Sequence, residues 1–308
     1  MTMRKLSRKH IFSHASSQIR TVKDRTLLKL LILPTILLLI LFNVFPLLWS
    51  LYLSFSNYKA KMPIVWGKNP KMLGIKNYVR ILDDPDMWEQ FITTGKYVVM
   101  SVGIEVILGF TLALMLHTKI KGRGILQILL VLPMTMSPVI VGLMWKLFLD
   151  PNWGAFNWLL GLNKVDWVQN ANINFYTIVM VDVWMWTPFV MLLSLAGLSA
   201  IPEYLYEAAE VDRASWWHKF VHITLPMVFP TLMVAIIFRT IEAFKIFDLP
   251  MGITGKGSAA PQLLSYELFR LGFHSWRTGK AASLGYIMLL LIFMVTAIFV
   301  KYLNKAKQ

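Results

Sequence analysis

The chain has 308 residues, of which 56% are hydrophobic and 15% are charged, a composition that excludes an ordinary soluble domain and predicts a membrane protein. Cysteine does not occur in the sequence, which excludes disulfide bonds and thiolate metal sites. The net charge of +15 is assigned to loops that face anionic membrane lipid, and nucleic-acid binding is not expected.

Apolar runs of about 20 residues recur along the chain. Because the backbone must satisfy its own hydrogen bonds in lipid, each run predicts a helix. The expected fold class is therefore an all-α membrane protein with six transmembrane helices. The predicted spans cover residues 27–55, 91–116, 125–149, 173–198, 227–247 and 281–303.

The first 26 residues are basic and polar, and they predict a cytoplasmic tail. The apolar run that follows is too long for a signal peptide and lacks a small-residue cleavage site, so it is expected to stay as the first span. Basic residues also cluster in the short loop 117–124, which places both termini in the cytoplasm. The predicted organisation is thus a tail (1–26), a membrane domain (27–303) with a cytoplasmic connection (199–226), and a cytoplasmic end (304–308).

The connection 199–226 has helical periodicity. The residues that share one face of its first helix are Leu205, Ala208, Ala209 and Asp212. The adjacent alanines favour a helix and offer a small surface onto which a partner can pack. Ser215 is a suitable N-cap for a second short helix along the membrane surface, and Pro226 is expected to begin the fifth span. Periodicity alone leaves open an ordinary amphipathic connection without a special function.

The sequence EAAEVDRASWWHKFVHITLP, at 207–226, closely resembles the cytoplasmic loop of binding-protein-dependent ABC importer permeases. The family pattern is E-A-A, an aspartate three residues later, a glycine, an alanine, and an aromatic stretch that closes on L-P. The residues at these positions are Glu207, Ala208, Ala209, Asp212, Arg213, Ala214, Leu225 and Pro226. Arg213 departs from the pattern, because the family usually has glycine there and glycine favours a left-handed or tight turn. The resemblance implies that this loop docks on an ATPase subunit and carries its motion to the spans.

Three further segments, at 73–88, 121–161 and 241–261, resemble the permeases of carbohydrate uptake. The resemblance implies the type I ABC importer permease fold. It also implies import of a sugar or a related carbohydrate-like solute across a bacterial or archaeal cytoplasmic membrane. The implied partners are a second homologous permease subunit, two ATP-binding cassette subunits, an extracytoplasmic solute-binding protein and membrane lipid.

The sequence contains no nucleotide-binding motif of the form G-x-x-x-x-G-K-[ST], so ATP and Mg are expected on the partner ATPase subunits. The chain itself is expected to bind no cofactor and to be no enzyme. His218 and His222 lie four residues apart on a predicted helix, but no third ligand is suitably placed, so no metal site is expected.

Ionisable residues within the predicted spans each cost about 2.5–3.5 kcal/mol at the bilayer centre, so they are expected to pair or to carry function. These residues are Glu105, Lys146, Asp182, Arg239, Glu242 and Lys245. Arg239 and Glu242 are three apart on one helix and are expected to pair locally. Lys146 and Lys245 are expected to extend to the membrane surface.

Two interpretations remain open for the intramembrane acids. In the first, carboxylates and aromatic rings line the substrate path, where they bind sugar hydroxyls and cover the apolar face of the sugar. The residues of this predicted path are Asp182, Trp184, Trp186, Glu242 and Glu105. In the second, they hold helices together or contact the second permease. An alternative function, a secondary transporter driven by an ion gradient, would use Asp182 and Glu105 for coupling but leaves 207–226 unexplained.

Overall fold

The computed structural model describes residues 21–61, 70–118, 121–162, 164–255 and 261–306. Over these residues the chain is helical, and the strand pairing recorded there is an isolated antiparallel bridge between Ser56 and Met72. The prediction of an all-α membrane fold is confirmed.

The described residues up to Leu53 form a unit of their own. They belong to one helical stretch made of α1 (Thr21–Leu39), a π turn (Ile40–Val44) and α2 (Phe45–Ser54), whose last residue begins the second unit. This helix begins earlier than the predicted residue 27, and residues 1–20 of the predicted tail lie outside the described residues. The π turn precedes Pro46, which has no N–H to donate and whose ring would collide with a carbonyl one turn earlier. A wider turn accommodates that proline.

The second unit comprises residues 54–308. Its helices, in chain order, are α3 (Lys76–Leu82), α4 (Pro85–His117), α5 (Arg123–Val131), α6 (Pro138–Phe148), α7 (Ala155–Leu159), α8 (Asn174–Ser199), α9 (Glu203–Val211), α10 (Trp216–Lys219), α11 (Leu225–Phe244), α12 (Asp248–Thr254), α13 (Leu264–Phe269) and α14 (Thr278–Ala306). A 3-10 turn (Leu132–Thr135) and two π turns (Phe220–Thr224 and Arg270–His274) lie between them.

The centre of this unit is formed by α4, α8 and α11, which pack against one another. A glycine permits the close approach of the first two helices. A Cβ at Gly109 of α4 would lie 2.7 Å from the Cβ of Val190 and 2.9 Å from the carbonyl oxygen of Thr187, both on α8. Only a residue without a side chain allows the backbones this close.

The third predicted span, 125–149, is not one continuous helix. The segments Arg123–Thr135 and Pro138–Phe148 meet at a bend of 99°. Ser137 precedes Pro138 and has an extended backbone (φ −66°, ψ 135°), which is the conformation that a following proline imposes. The prolines therefore break the segment that hydropathy alone predicts to be one continuous helix.

The fifth predicted span also needs correction, because the short helix predicted before it continues directly into it. Residues Trp216–Phe244 run as one stretch through α10, the π turn Phe220–Thr224 and α11. Pro226 lies in the first turn of α11, and the helical stretch passes through it without a break. As at Pro46, a π turn ends two residues before the proline and accommodates the missing N–H.

Within the described residues, five helices are long and apolar enough to cross a membrane, and the bent pair makes up to six. These five are Lys29–Ser54, Pro85–His117, Asn174–Ser199, Trp216–Phe244 and Thr278–Lys305. The predicted number of six spans therefore holds when the bent pair is counted as one.

We expect Gly109→Ala to lower the stability of the chain by about 1–3 kcal/mol, because the added methyl group overpacks the contact between α4 and α8. Thermal unfolding of the purified full chain in detergent measures the effect. The matched control is Gly103→Ala on the same helix, where an added Cβ would meet nothing within 4 Å. That control should be neutral or slightly stabilising, since alanine favours a helix over glycine. Equal melting temperatures for the two variants would contradict the close approach.

Candidate functional site

The connection after α8 folds as a compact elbow, residues 203–224. Its first helix, α9, begins after Pro202, whose extended backbone (ψ 131°) separates it from α8. The acidic Glu203 lies in the first turn, where it interacts favourably with the helix dipole. The predicted helical stretch around the two alanines is therefore present in the structure.

A left-handed turn ends α9 at the position where the sequence departs from the family pattern. Arg213 has a φ of +53°, a conformation that glycine adopts more easily. Its N–H donates to the Glu210 carbonyl at 3.0 Å, and the Ala214 N–H donates to the Ala209 carbonyl at 2.9 Å. These two hydrogen bonds define a Schellman motif. The turn thus keeps its usual geometry although an arginine occupies it.

Side chains tie α9 to the helix that follows. Lys219 Nζ donates to Glu210 Oε1 at 3.1 Å, and the hydroxyls of Tyr206 and Thr224 lie 2.9 Å apart. Ser215 caps α10 by accepting a hydrogen bond from the His218 N–H at 3.2 Å. The two arms of the elbow therefore form one connected body.

The aromatic residues of the elbow anchor it to the bundle. The ring of Phe220 stacks on Trp216 with 5.4 Å between centroids. It also lies 6.1 Å from the ring of Phe110 on α4. The elbow is thus in contact with a helix outside its own connection.

A groove of about 550 Å³ opens between the arms of the elbow. Four of the predicted coupling residues line it, namely Ala208, Ala209, Asp212 and Ala214. Glu207 and Arg213 are exposed beside it. Leu225 is partly buried and Pro226 exposed, both in the first turn of α11. The structure therefore brings the alanines and Asp212 together on one accessible surface.

His218 and His222 also line this groove, with ring centroids 4.0 Å apart. The His222 ring nitrogen Nδ1 lies 3.1 Å from the His218 carbonyl oxygen. In the part of the chain that the structure describes, no group of three or more His, Cys, Asp or Glu side chains is placed to hold a metal ion.

A second cluster lies inside the bundle, where Arg239 of α11 binds two carboxylates. Its guanidinium contacts Glu105 of α4 through two hydrogen bonds, from Nε at 2.7 Å and from Nη2 at 2.8 Å. Nη2 also donates to Asp182 Oδ2 of α8 at 3.0 Å. The three side chains are 0–3% exposed. We call them the charge triad.

Aromatic groups complete the surroundings of the charge triad. The Arg239 guanidinium lies 4.8 Å from the ring centroid of Trp186, a cation–π distance. Asp182 Oδ1 and the Tyr97 hydroxyl are buried and have no hydrogen-bond partner among the described residues. The cluster is closed to solvent, and within it Arg239 binds both carboxylates.

The local pair predicted between Arg239 and Glu242 is not what the structure shows. Glu242 instead accepts from Lys245 at 2.8 Å, and both of these side chains are exposed. Trp184 is 38% exposed and packs edge-on against Trp145 at 5.5 Å. Of the residues predicted for the substrate path, the structure therefore brings Glu105, Asp182 and Trp186 together and leaves Trp184 and Glu242 elsewhere.

Sequence reasoning did not anticipate the partner of Arg239 or the presence of Tyr97. The available signal was the presence of one arginine and two acids in separate predicted spans. A charge buried in a membrane needs an opposite charge nearby to offset its desolvation. Tyr97 gave no signal, because a tyrosine in an apolar helix is ordinary.

The chain matches, over residues 105–308, the protein family described as binding-protein-dependent transport system inner membrane component. The trehalose/maltose transport system permease protein MalF of Thermococcus litoralis is 35% identical to it over 273 residues, which cover 86% of this chain and 90% of that protein. The trehalose transport system permease protein SugA of Mycobacterium tuberculosis is 30% identical over 298 residues, covering 96% and 94% of the two chains.

A third relative, the sulfoquinovosyl glycerol transport system permease protein SmoG of Agrobacterium fabrum, is 31% identical and covers 91% of both chains. Among solved structures, the fold resembles a bacterial ABC transporter involved in the import of the acidic polysaccharide alginate. That match has a TM-score of 0.80 and 22% identity, and it covers 94% of this chain and 98% of the other. At this identity the likeness concerns the fold alone.

We expect Arg239→Met to destabilise the chain by about 3–5 kcal/mol, because it leaves two carboxylates buried without a cation. The shift in the denaturant or thermal midpoint of the purified chain measures this loss. The matched control is Lys245→Met, which removes a cation from an exposed pair and should cost less than about 1 kcal/mol. Adding Glu105→Gln and Asp182→Asn to the arginine variant should restore part of the stability. An arginine variant no less stable than the lysine variant would contradict the role of the charge triad.

Proposed function

The chain belongs to the family of binding-protein-dependent transport system inner membrane components, and from this premise we propose that it imports a sugar or a related carbohydrate-like solute. The three named relatives support this solute class, since trehalose, maltose and a sulfoquinovosyl glycerol all carry sugar hydroxyls. The chain is a multi-pass permease subunit of an ABC importer in the cytoplasmic membrane, and it is not an enzyme.

The elbow is proposed as the surface that docks on an ATPase subunit. Its groove is lined by small side chains, Ala208, Ala209 and Ala214, which allow another helix to approach closely. Glu207 and Asp212 add negative charge at the rim. Since the sequence has no phosphate-binding loop of its own, hydrolysis of ATP with Mg is assigned to two partner subunits. This assignment places the elbow and both termini in the cytoplasm.

One continuous helical stretch connects the elbow to the interior of the bundle, so it can transmit motion of the elbow into the membrane. The helical stretch from Trp216 to Phe244 contains both the second arm of the elbow and Arg239. Between Trp216 and Arg239 this helix spans about 35 Å. A displacement at the elbow therefore reaches the charge triad, which couples it to α4 and α8 through Glu105 and Asp182.

Glu105 and Asp182 are accordingly proposed to hold three helices as one moving body. Both carboxylates are buried against Arg239, which leaves them poorly placed to meet a solute in this conformation. The substrate-path role of Trp184, Trp186 and Glu242 stays a prediction.

The proposed assembly contains a second permease subunit and an extracytoplasmic solute-binding protein that delivers the solute. Alternating access then follows, in which closure of the ATPase subunits moves the elbow and opens the spans to the outside. The ion-gradient alternative gains no support, because the family and its named relatives are transport-system permeases.

The energy source tests this function. Uptake of radiolabelled trehalose and maltose should persist when a protonophore and a sodium ionophore collapse the ion gradients while ATP is maintained. It should stop when ATP is depleted with the gradients intact. The opposite pattern would favour the secondary transporter.

The elbow is tested by Glu207→Lys in the assembled transporter. Charge reversal at a docking surface costs about 2 kcal/mol or more, so we expect uptake to fall by at least about tenfold. ATP hydrolysis should no longer depend on solute, and the complex should still reach the membrane. Glu203→Lys is the comparison variant, because it makes the same charge change one turn earlier on α9. Normal uptake by the Glu207 variant, or equal loss in both variants, would count against the assignment.

A further inference from the structure

A cationic cavity lies at the end of the bundle where α4 and α14 begin. Its volume is about 340 Å³, and the cations that line it are Lys59, Arg80, Arg277 and Lys280. They come from three separate parts of the chain: the extended segment at 56–59, helix α3, and the start of α14. None of them belongs to the elbow or to the charge triad.

Hydrogen bonds fix the walls of this cationic cavity. The Gly279 N–H donates to the Tyr58 carbonyl at 3.0 Å, and the Ala60 N–H donates to the Trp276 carbonyl at 3.1 Å. The buried Asn77 of α3 donates through Nδ2 to the Ser56 carbonyl at 2.8 Å. The three segments are thus held together independently of any ligand, and they present the exposed side chains of Lys59, Arg80 and Arg277.

The charges within the cavity are largely uncompensated. Across the described residues, Lys280 is the one member with a carboxylate within 4 Å, where its Nζ lies 3.7 Å from Asp84 Oδ2. No carboxylate lies within that distance of Lys59, Arg80 or Arg277 in the same residues. Like charges around a small cavity repel one another, and an anion between them would turn this repulsion into attraction.

Helix α3 indicates where that anion would come from. Ile75, Val79 and Leu82 follow helical spacing and are 66%, 43% and 46% exposed. Its opposite face buries Asn77 and Ile81 against the bundle. A short helix with an apolar outer stripe, placed where spans begin, fits the boundary between lipid headgroups and acyl chains.

An aromatic residue marks the same level. Tyr78 of α3 has its hydroxyl 2.7 Å from Ser54 Oγ and its ring 5.5 Å from that of Phe55. Amphipathic aromatic rings of this kind concentrate at the membrane surface. The cationic cavity therefore opens beside a surface suited to lipid.

We propose that the cationic cavity binds the phosphate of an anionic phospholipid, whose acyl chains lie along the apolar stripe of α3. Two guanidinium groups offer paired donors to phosphate oxygens, and two ammonium groups add charge. A zwitterionic lipid carries a compensating cation on its headgroup and is bound less tightly. The bound lipid would join α3 to the starts of α4 and α14.

Native mass spectrometry of the purified full chain tests this proposal with phosphatidylglycerol, phosphatidylcholine and inorganic phosphate as probes. The wild-type chain should prefer phosphatidylglycerol to phosphatidylcholine. The double variant Arg80→Gln, Arg277→Gln should lose about 30-fold in phosphatidylglycerol affinity, the equivalent of about 2 kcal/mol for two cations. Arg80→Lys with Arg277→Lys keeps both charges but loses the paired donors, so its affinity should lie between those of the wild type and the glutamine variant, which separates charge loss from misfolding.

The matched control is Lys71→Gln with Lys76→Gln, which removes two cations from neighbouring positions outside the lining of the cavity. Its affinity for phosphatidylglycerol should stay near that of the wild type. Equal binding of the two lipids by the wild type, or equal loss in the two glutamine variants, would overturn the proposal. Displacement of phosphatidylglycerol by millimolar inorganic phosphate would also overturn it, because the site would then serve a soluble anion.

Discussion

The contact of Arg239 with Glu105 and Asp182 is the interaction on which the bundle depends. Each of these ionised groups alone would cost about 2.5–3.5 kcal/mol in the bilayer centre, and removal of Arg239 would leave two carboxylates buried without a cation. Together they form three hydrogen bonds at 2.7–3.0 Å, between two guanidinium nitrogens and three carboxylate oxygens. The result is a fixed relation between α4, α8 and α11.

This constraint gives the elbow its mechanical importance. A loop can move without consequence unless a rigid element carries its displacement. Here the arm that begins at Trp216 continues without interruption to Phe244, and the π turn before Pro226 allows the helix to pass a proline that would otherwise break it. The elbow, the long helix and the charge triad therefore form one connected path from an exposed surface to the bundle centre.

The opposite end of the bundle is less regular. The bend before Pro138 interrupts one span, and the short helix α12 follows the end of α11 after a break. The fragments pack through glycines, since a Cβ at Gly142 would lie 2.9 Å from the Cα of Gly252. Broken backbone at membrane depth is tolerated where protein or water satisfies it. The cationic cavity lies at this same end, where a bound lipid phosphate would add to the cohesion of the short segments.

The sequence by itself determined the structural features that depend on residues close together along the chain. Apolar length predicted the spans, and Ser215 and the paired alanines predicted the helical arms of the elbow, because capping and helix propensity act within a few residues. Tertiary structure decided the rest. Arg239 pairs with Glu105, which is 134 residues away, and not with Glu242 in the next turn. The rotation of each packed helix about its axis sets which side chains meet. The 99° bend and the cationic cavity likewise arise from segments that only packing brings together.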